Sequence, residues 1–290
     1  MLPPLAAARA DLNAVVKTSD GVGTSPGRGT MGGKHPMRTL VFIPAFNEEG
    51  AIATVVRDVR SELPEADVLV VDDGSTDRTA EIARDAGAVV ASLPFNQGIG
   101  AAVQTGYVYA ESVGYDYVGR VDGDGQHPAA QLLRVLDQVR GGDCDVCIGS
   151  RFYDAHLHPV DANAYKPALT RRVGIVLFRW LLSRTSGQRF TDPTSGLCAV
   201  NRRGSWLFAH RHAPDYPELE LLQRASRQGL RIAEITVSMR PRLAGKSSIT
   251  PLKSAYFIFK ALMICSVGSF RKRENELLEQ ASLQLLERSC

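Results

Sequence analysis

From Met37 onward, short unbroken apolar runs alternate with stretches in which apolar positions recur every three or four residues. "RTLVFIP" (38–44) is a continuous apolar run closed by Pro44, the pattern of a strand buried on both faces, and "EEGAIATVVRDVRSEL" (48–63) follows with helical spacing. "ADVLVVDD" (66–73) repeats the strand signal. "STDRTAEIARDAG" (75–87) opens on Ser75, Thr76 and Asp77 as candidate N-caps and stops at Gly87. The series continues with the strand "AVVAS" (88–92), the helical "GIGAAVQTGYVYAES" (98–112), the run "YDYVGRVDGD" (115–124), a helix from Pro128 to Arg140 and the strand "DVCIGS" (145–150). Strands alternating with helices predict an α/β fold, a mainly parallel sheet flanked by helices on both faces. Such sheets bind ligands at the carboxyl ends of their strands.

Polar residues gather at three of those ends. Asn47 and Glu48 follow the first strand, Asp72 and Asp73 end the second, and Asp122 and Asp124 close the run at 115–124. In "VDGDGQHP" (121–128) two aspartates flank one glycine, and carboxylates that close repel unless a cation or a partner charge lies between them. Taken singly, Asp73, Ser75 and Asp77 also fit helix capping, and 122–125 also fits a plain turn. Three clusters converging on one rim point instead to a polar ligand shared with a divalent metal.

Composition narrows the partners. The chain has 290 residues, 44% hydrophobic and 22% charged, which is ordinary globular composition. A net charge of +3 without a basic, aromatic-laced stripe argues for no nucleic acid. Five cysteines, an odd number, do not form a disulfide framework and point to a reducing, cytoplasmic setting. The Cys144–Cys147 pair has no second pair or nearby histidine to complete a zinc site. Residues 18–36 are rich in Gly, Ser, Thr and Pro, so 1–36 is expected to be a flexible lead-in, with Met31 and Met37 as alternative starts. The segment "LPPLAAARADLNAVV" lacks the basic start and long apolar core of a secretory signal.

"VFIPAFNEEG", "VVDDGSTDRT", "NQGIGAAVQTGY", "VDGDGQHP" and "IGSRF" stand in the order and at the spacing of family-2 glycosyltransferases, GT-A enzymes that use nucleotide-sugar donors, and the chain resembles them over about residues 38–262. "DPTSGLCAVNRRG", "DYPELELL" and "MRPRLAGKSSIT" resemble the branch of dolichol-phosphate mannosyltransferases and bacterial polyprenyl-phosphate glycosyltransferases. The resemblance implies a GT-A catalytic domain over 37–250 followed by C-terminal amphipathic helices over 251–290. It implies Mg2+ or Mn2+ held by Asp122, Asp124 and Gln126, with Asp124 the direct ligand, neutralising the leaving diphosphate. His127 fits either metal binding or support of the turn. Pro44, Ala45, Asn47, Glu48 and Asp73 are implied at the nucleoside, Gly98 and Gly100 near the donor, and Arg151 at its phosphates. The turn that carries Asp192, Thr194, Ser195 and Gly196 is implied at the acceptor pocket.

The acceptor defines the reaction. An acidic general base is absent from its usual place in the wider family, and "YPELE" offers Glu218 and Glu220 instead. A lipid phosphate is already anionic and needs no base, only cations, which Arg240, Arg242 and Lys246 with Ser247 and Ser248 supply. Residues 251–273 are apolar and basic but interrupted by Lys260, which fits peripheral contact at the cytoplasmic face of a membrane as well as packing against the catalytic domain. The helix "NELLEQASLQLLERS" fits a homo-oligomer contact. The expectation is a metal-dependent, inverting hexosyltransferase acting on a polyprenyl phosphate. A transferase acting on a saccharide or small-molecule hydroxyl, and a non-catalytic nucleotide-binding protein, are the alternatives. A nicotinamide enzyme is disfavoured, because "PAFNEEG" stands where a G-x-G-x-x-G would be.

Overall fold

The computed structural model describes residues 37–152, parts of 176–190, and residues 191–210 and 217–242. Strand β1 (Thr39–Ala45) is buried along its whole length. It is followed by α1 (Ile52–Glu62), β2 (Asp67–Asp72), α2 (Thr79–Asp85), β3 (Val89–Ser92), α3 (Ile99–Val113), β4 (Tyr117–Arg120), α4 (Ala129–Arg140) and β5 (Val146–Ser150). Beyond these come β6 (Cys198–Asn201), α5 (Arg202–His210), α6 (Pro217–Arg227) and β7 (Ile232–Thr236). The seven strands form one sheet in the order β3-β2-β1-β4-β6-β5-β7. All neighbours are parallel except β6, which runs antiparallel to both β4 and β5. This mixed, mostly parallel sheet with flanking helices is the GT-A architecture expected from the sequence.

Side chains of β1 alternate between two layers, as the two-residue period of a strand requires. Val41, Ile43 and Ala45 join Ile52, Val55, Val56 and Val59 of α1 and Leu132, Val135 and Leu136 of α4 in one apolar cluster. Toward the other face, Phe42 lies edge-on to Tyr107 of α3 at 5.0 Å, and Tyr107 meets Phe208 of α5 at 5.1 Å in the same way. A Cβ at Gly106 would overlap the Phe42 ring, so this glycine lets α3 lie close against β1.

Several boundaries differ from the sequence expectation for local reasons. The expected helix at 48–63 starts at Ile52, because the Glu48 N–H is drawn to Thr79 Oγ1 at 2.8 Å while its carbonyl accepts the Ala51 and Ile52 N–H groups. The run at 115–124 pairs with β1 only over Tyr117–Arg120, leaving Asp122 and Asp124 in the loop beyond it. Of the candidate caps on α2, Asp77 accepts the Thr79 N–H at 2.9 Å, whereas Ser75 is engaged by the Asn47 N–H at 2.9 Å. Strand β6 lies in a segment whose turn signal masks four strand residues. The segments 251–273 and 251–290, with their expected membrane and oligomer contacts, fall outside the described residues.

The winding fixes where a ligand belongs. From β1 the chain builds outward to β2 and β3, then crosses to the other side of β1 to form β4. The crevice beyond the carboxyl ends of β1 and β4 is the switch point, where neighbouring loops part. By contacts, the chain divides into two units, 1–166 with 191–246 and 167–190 with 247–290. The first carries the sheet. In the second, Leu182 is buried and its carbonyl accepts the Ser186 hydroxyl at 2.6 Å. Among the described residues, no helix is long and apolar enough to cross a membrane.

Candidate functional site

The loop after β4 is set by a buried charge. Arg120, the last residue of the strand, has a side chain only 5% exposed, and its guanidinium reaches Asp122 Oδ1 at 3.2 Å and Glu218 Oε1 at 2.6 Å. Burial alone would lower its pKa, but Glu218 and Asp122 outweigh burial and hold it above the ordinary value. Asp122 is thereby fixed at the mouth of β4. Gly196 closes on the same carboxylate: a Cβ there would overlap Asp122 Oδ2. Gly123 lies against β1 less tightly, where a Cβ would stand 3.3 Å from the Pro44 carbonyl oxygen.

On the β1 side, Asn47 adopts a left-handed conformation with φ 54. Its N–H goes to Ser75 Oγ, and its side-chain oxygen accepts the Thr76 N–H at 2.9 Å, so it ties the loops after β1 and β2 together. Pro44 and Ala45 end β1 beside this loop, paired with Val71 and Asp72. Asp73 is buried and accepts the Gln97 and Gly98 N–H groups, each at 2.8 Å. Burial raises its pKa, with those two N–H groups opposing the shift. Its carboxylate therefore positions the loop that leads through Gly98, the residue before α3, to Gly100 in the first turn.

The two sides meet at Arg242. Its guanidinium binds Glu48 Oε1 at 3.2 Å through one nitrogen and Asp124 Oδ2 at 2.9 Å through another. Asp124 Oδ1 accepts the Gln126 N–H at 3.0 Å, and the Gln126 carbonyl accepts the Arg240 N–H at 2.8 Å. The chain just after β7 is thus anchored by its backbone on the loop that carries Asp122 and Asp124. Burial raises the Glu48 pKa; Arg242 works against that, and Asp124, Asp122 and Asp77 add to it. Glu48 Oε2 is buried without a hydrogen-bond partner. The guanidinium of Arg240 lies toward Asp58, at 4.0 Å. Lys246 falls outside the described residues.

A third group lies beside the β5 end. Arg151 holds Asp192 in a two-pronged pair, at 2.5 Å from Nε and 2.7 Å from a terminal nitrogen, and also donates to Thr194 Oγ1 at 3.1 Å. Asp192 is fully buried, and Glu234 of β7 accepts its N–H and that of Thr191. Burial raises the Glu234 pKa, and these N–H bonds oppose it. Ser195 Oγ accepts the Leu197 N–H at 3.2 Å and so shapes the turn that brings Gly196 to Asp122. His127 is buried with Nδ1 without a hydrogen-bond partner, and burial lowers its pKa.

Asp122, Asp124, Gln126 and Glu48 therefore share one rim, with Arg120 and Arg242 as counter-charges. Asp192, Thr194, Ser195 and Gly196 flank it. Among the described residues no three His, Cys, Asp or Glu side chains form a ready-made metal cage. The hard oxygens of the Asp122 and Asp124 carboxylates, with the partnerless Glu48 Oε2 beside them, are the donor type that a Mg2+- or Mn2+-type ion would take. Arg120 and Glu234 were not singled out from the sequence. An arginine flanked by apolar strand residues in "YVGRV" was the available signal, because a buried guanidinium demands counter-charges.

Residues 40–200 match the family Glycosyl transferase family 2. The chain is similar to a polyprenol monophosphomannose synthase of Mycolicibacterium smegmatis, 36% identical over 242 residues that cover 77% of this chain and 85% of that protein. It is also similar to an undecaprenyl-phosphate mannosyltransferase of Micrococcus luteus, 30% identical over 225 residues, 74% of this chain and 88% of that one. Among solved structures, a Mycobacterium tuberculosis glucosyl-3-phosphoglycerate synthase in complex with Mn2+, UDP and phosphoglyceric acid shares the fold. Its TM-score is 0.60 at 22% identity, covering 88% of this chain and 82% of that one. The ordered motifs, the sheet order and the family match over more than half of the sequence converge: the chain is a glycosyltransferase and belongs to glycosyltransferase family 2.

Proposed function

We propose that this glycosyltransferase moves a hexose, with inversion, from a nucleoside-diphosphate sugar to a polyprenyl-phosphate-type acceptor. An acceptor phosphate oxygen forms the new bond to the sugar C1 as the bond from C1 to the diphosphate breaks, and the nucleoside diphosphate leaves. Asp122, Asp124 and Gln126 would hold the Mg2+ or Mn2+ ion, which supplies charge neutralisation to the departing diphosphate. Arg120 orients Asp122, while Asn47 and Asp73 fix the loops around the donor. Arg151 would meet the donor phosphates, as its motif implies, while its pair with Asp192 braces the turn on the acceptor side.

The observation that carries the acceptor assignment is the state of the two candidate bases. Glu218 is bound to Arg120 at 2.6 Å and Glu220 to Arg224 at 3.3 Å. Each carboxylate is turned toward a guanidinium and not offered to an acceptor hydroxyl, so the site favours a nucleophile that arrives anionic. Similarity to two enzymes named for polyprenol and undecaprenyl-phosphate mannosyl transfer supports the same class.

The test is turnover of a panel of UDP- and GDP-sugars with Mn2+ or Mg2+, with and without a short polyprenyl phosphate. Nucleotide release is expected to depend on the lipid and to fall by at least about 100-fold in Asp124→Ala. Metal-dependent donor binding without lipid-stimulated release would redirect the search to hydroxyl acceptors.

A further inference from the structure

We propose that Arg242 is the resident cation of the metal site: while no divalent ion is bound its guanidinium bridges Glu48 and Asp124, and Asp124 must give it up to take the ion. The inference rests on the metal-dependent reading above. Its basis is the division of the guanidinium between two acids from different loops, Glu48 after β1 at 3.2 Å and Asp124 after β4 at 2.9 Å. Those loops flank the switch point of the sheet, so Arg242 spans the crevice in which the donor belongs.

Both Asp124 oxygens are engaged, Oδ1 by the Gln126 N–H and Oδ2 by Arg242. A divalent ion at Oδ2 and a guanidinium on the same oxygen repel strongly in a partly buried site, where water screens them little. Asp124 therefore exchanges one cation for another. Arg242 does not leave the rim on exchange, because Glu48 still holds it and the Arg240 N–H still binds the Gln126 carbonyl. Its freed nitrogen then lies where donor diphosphate oxygens arrive, and a guanidinium fork suits them. Metal entry and donor entry become coupled. The ion alone competes with Arg242, whereas an ion that arrives with a diphosphate gives the displaced guanidinium a new partner.

The experiment is Mn2+ binding to the full chain without nucleotide, read by electron paramagnetic resonance of the free ion, with circular dichroism confirming the fold of each variant. Arg242→Gln and Arg242→Ala are expected to bind Mn2+ at least about tenfold more tightly than the wild type, a change of about 1.4 kcal/mol. Arg240→Ala removes a neighbouring charge aimed at Asp58 and is expected to shift affinity by no more than about twofold. Unchanged or weaker binding in the Arg242 variants would overturn the inference, and so would equal tightening in Arg240→Ala, which would reduce the effect to net charge. Mn2+ binding to none of the proteins, even after UDP or GDP is added, would overturn the metal reading itself, and the exchange with it.

Discussion

A methyl group at Gly196 has no room, because its Cβ would overlap the carboxylate of Asp122. Asp122 cannot retreat freely, since Arg120 holds its other oxygen at 3.2 Å. Gly196→Ala should therefore displace Asp122 and lower kcat/KM by about 10–100-fold while the protein still folds. Gly142 gives the contrast: it has open space around it but a φ of +82, so Gly142→Ala should cost about 1 kcal/mol in urea unfolding and leave kcat/KM alone. A steady-state assay beside a denaturation curve separates the two. If both variants lose only stability, Gly196 is an ordinary tight turn and its contact with Asp122 has no bearing on activity. At this scale, the acids of the site were legible as residue types that repel without a cation. Their partners were not. Arg242 was read only as part of a basic loop, and Arg120 as part of a strand, because Glu48 and Asp124 lie far from Arg242 in sequence and Glu218 lies far from Arg120.

Elements were more legible than partners, since each of the first five strands and four helices carries its own apolar period. Strand β6 was missed because only Cys198–Asn201 is paired, directly behind the turn signal of "DPTSG". A strand so short takes its register from its neighbours, and one acid helps to enforce it. Asp145, just before β5, accepts the Asn201 side-chain N–H at 2.8 Å from the end of β6 and the Arg231 N–H at 2.9 Å from the start of β7. Burial favours its neutral form, but the bonds from Arg231 and Asn201 outweigh burial and bring its pKa down to about 2. A carboxyl held below its ordinary 3.8 stabilises the fold above that value and loses this contribution as the pH falls toward 2. Asp145→Asn should accordingly lower the unfolding free energy by about 2 kcal/mol at pH 7, with the gap to the wild type closing between about pH 4 and pH 2. A pH series of urea melts checks it; a gap that persists at pH 2 would mean that Asp145 acts through shape and not charge.

For the whole molecule, the winding of the sheet explains why the site draws on the full length of the described chain. The loops after β1 and β4 open the crevice, and their charges are completed by residues from far downstream: Glu218 at the start of α6 and Arg242 beyond β7. Glu218 is the decisive member, since two accounts of the reaction assign it opposite tasks. As a general base for a hydroxyl acceptor it would have to be available to take a proton, and Glu218→Gln would cost about 10²–10⁴-fold in kcat and remove the acidic limb of the pH profile. As a positioning residue it only holds Arg120, and through Arg120 the Asp122 carboxylate, a task that the carbonyl oxygen of glutamine still performs. The geometry favours the second: the pair is close, Arg120 is buried, and Asp122 depends on the same guanidinium. Glu218→Gln should then retain kcat within about tenfold, keep the acidic limb, and raise the apparent KM for the metal–donor complex. Glu218→Leu, which leaves Arg120 with one counter-charge where it had two, should lose both stability and donor affinity, by about 3 kcal/mol in the unfolding curve. Loss of kcat and of the acidic limb in Glu218→Gln, with donor KM unchanged, would restore Glu218 as the base and carry the acceptor class from phosphate to hydroxyl.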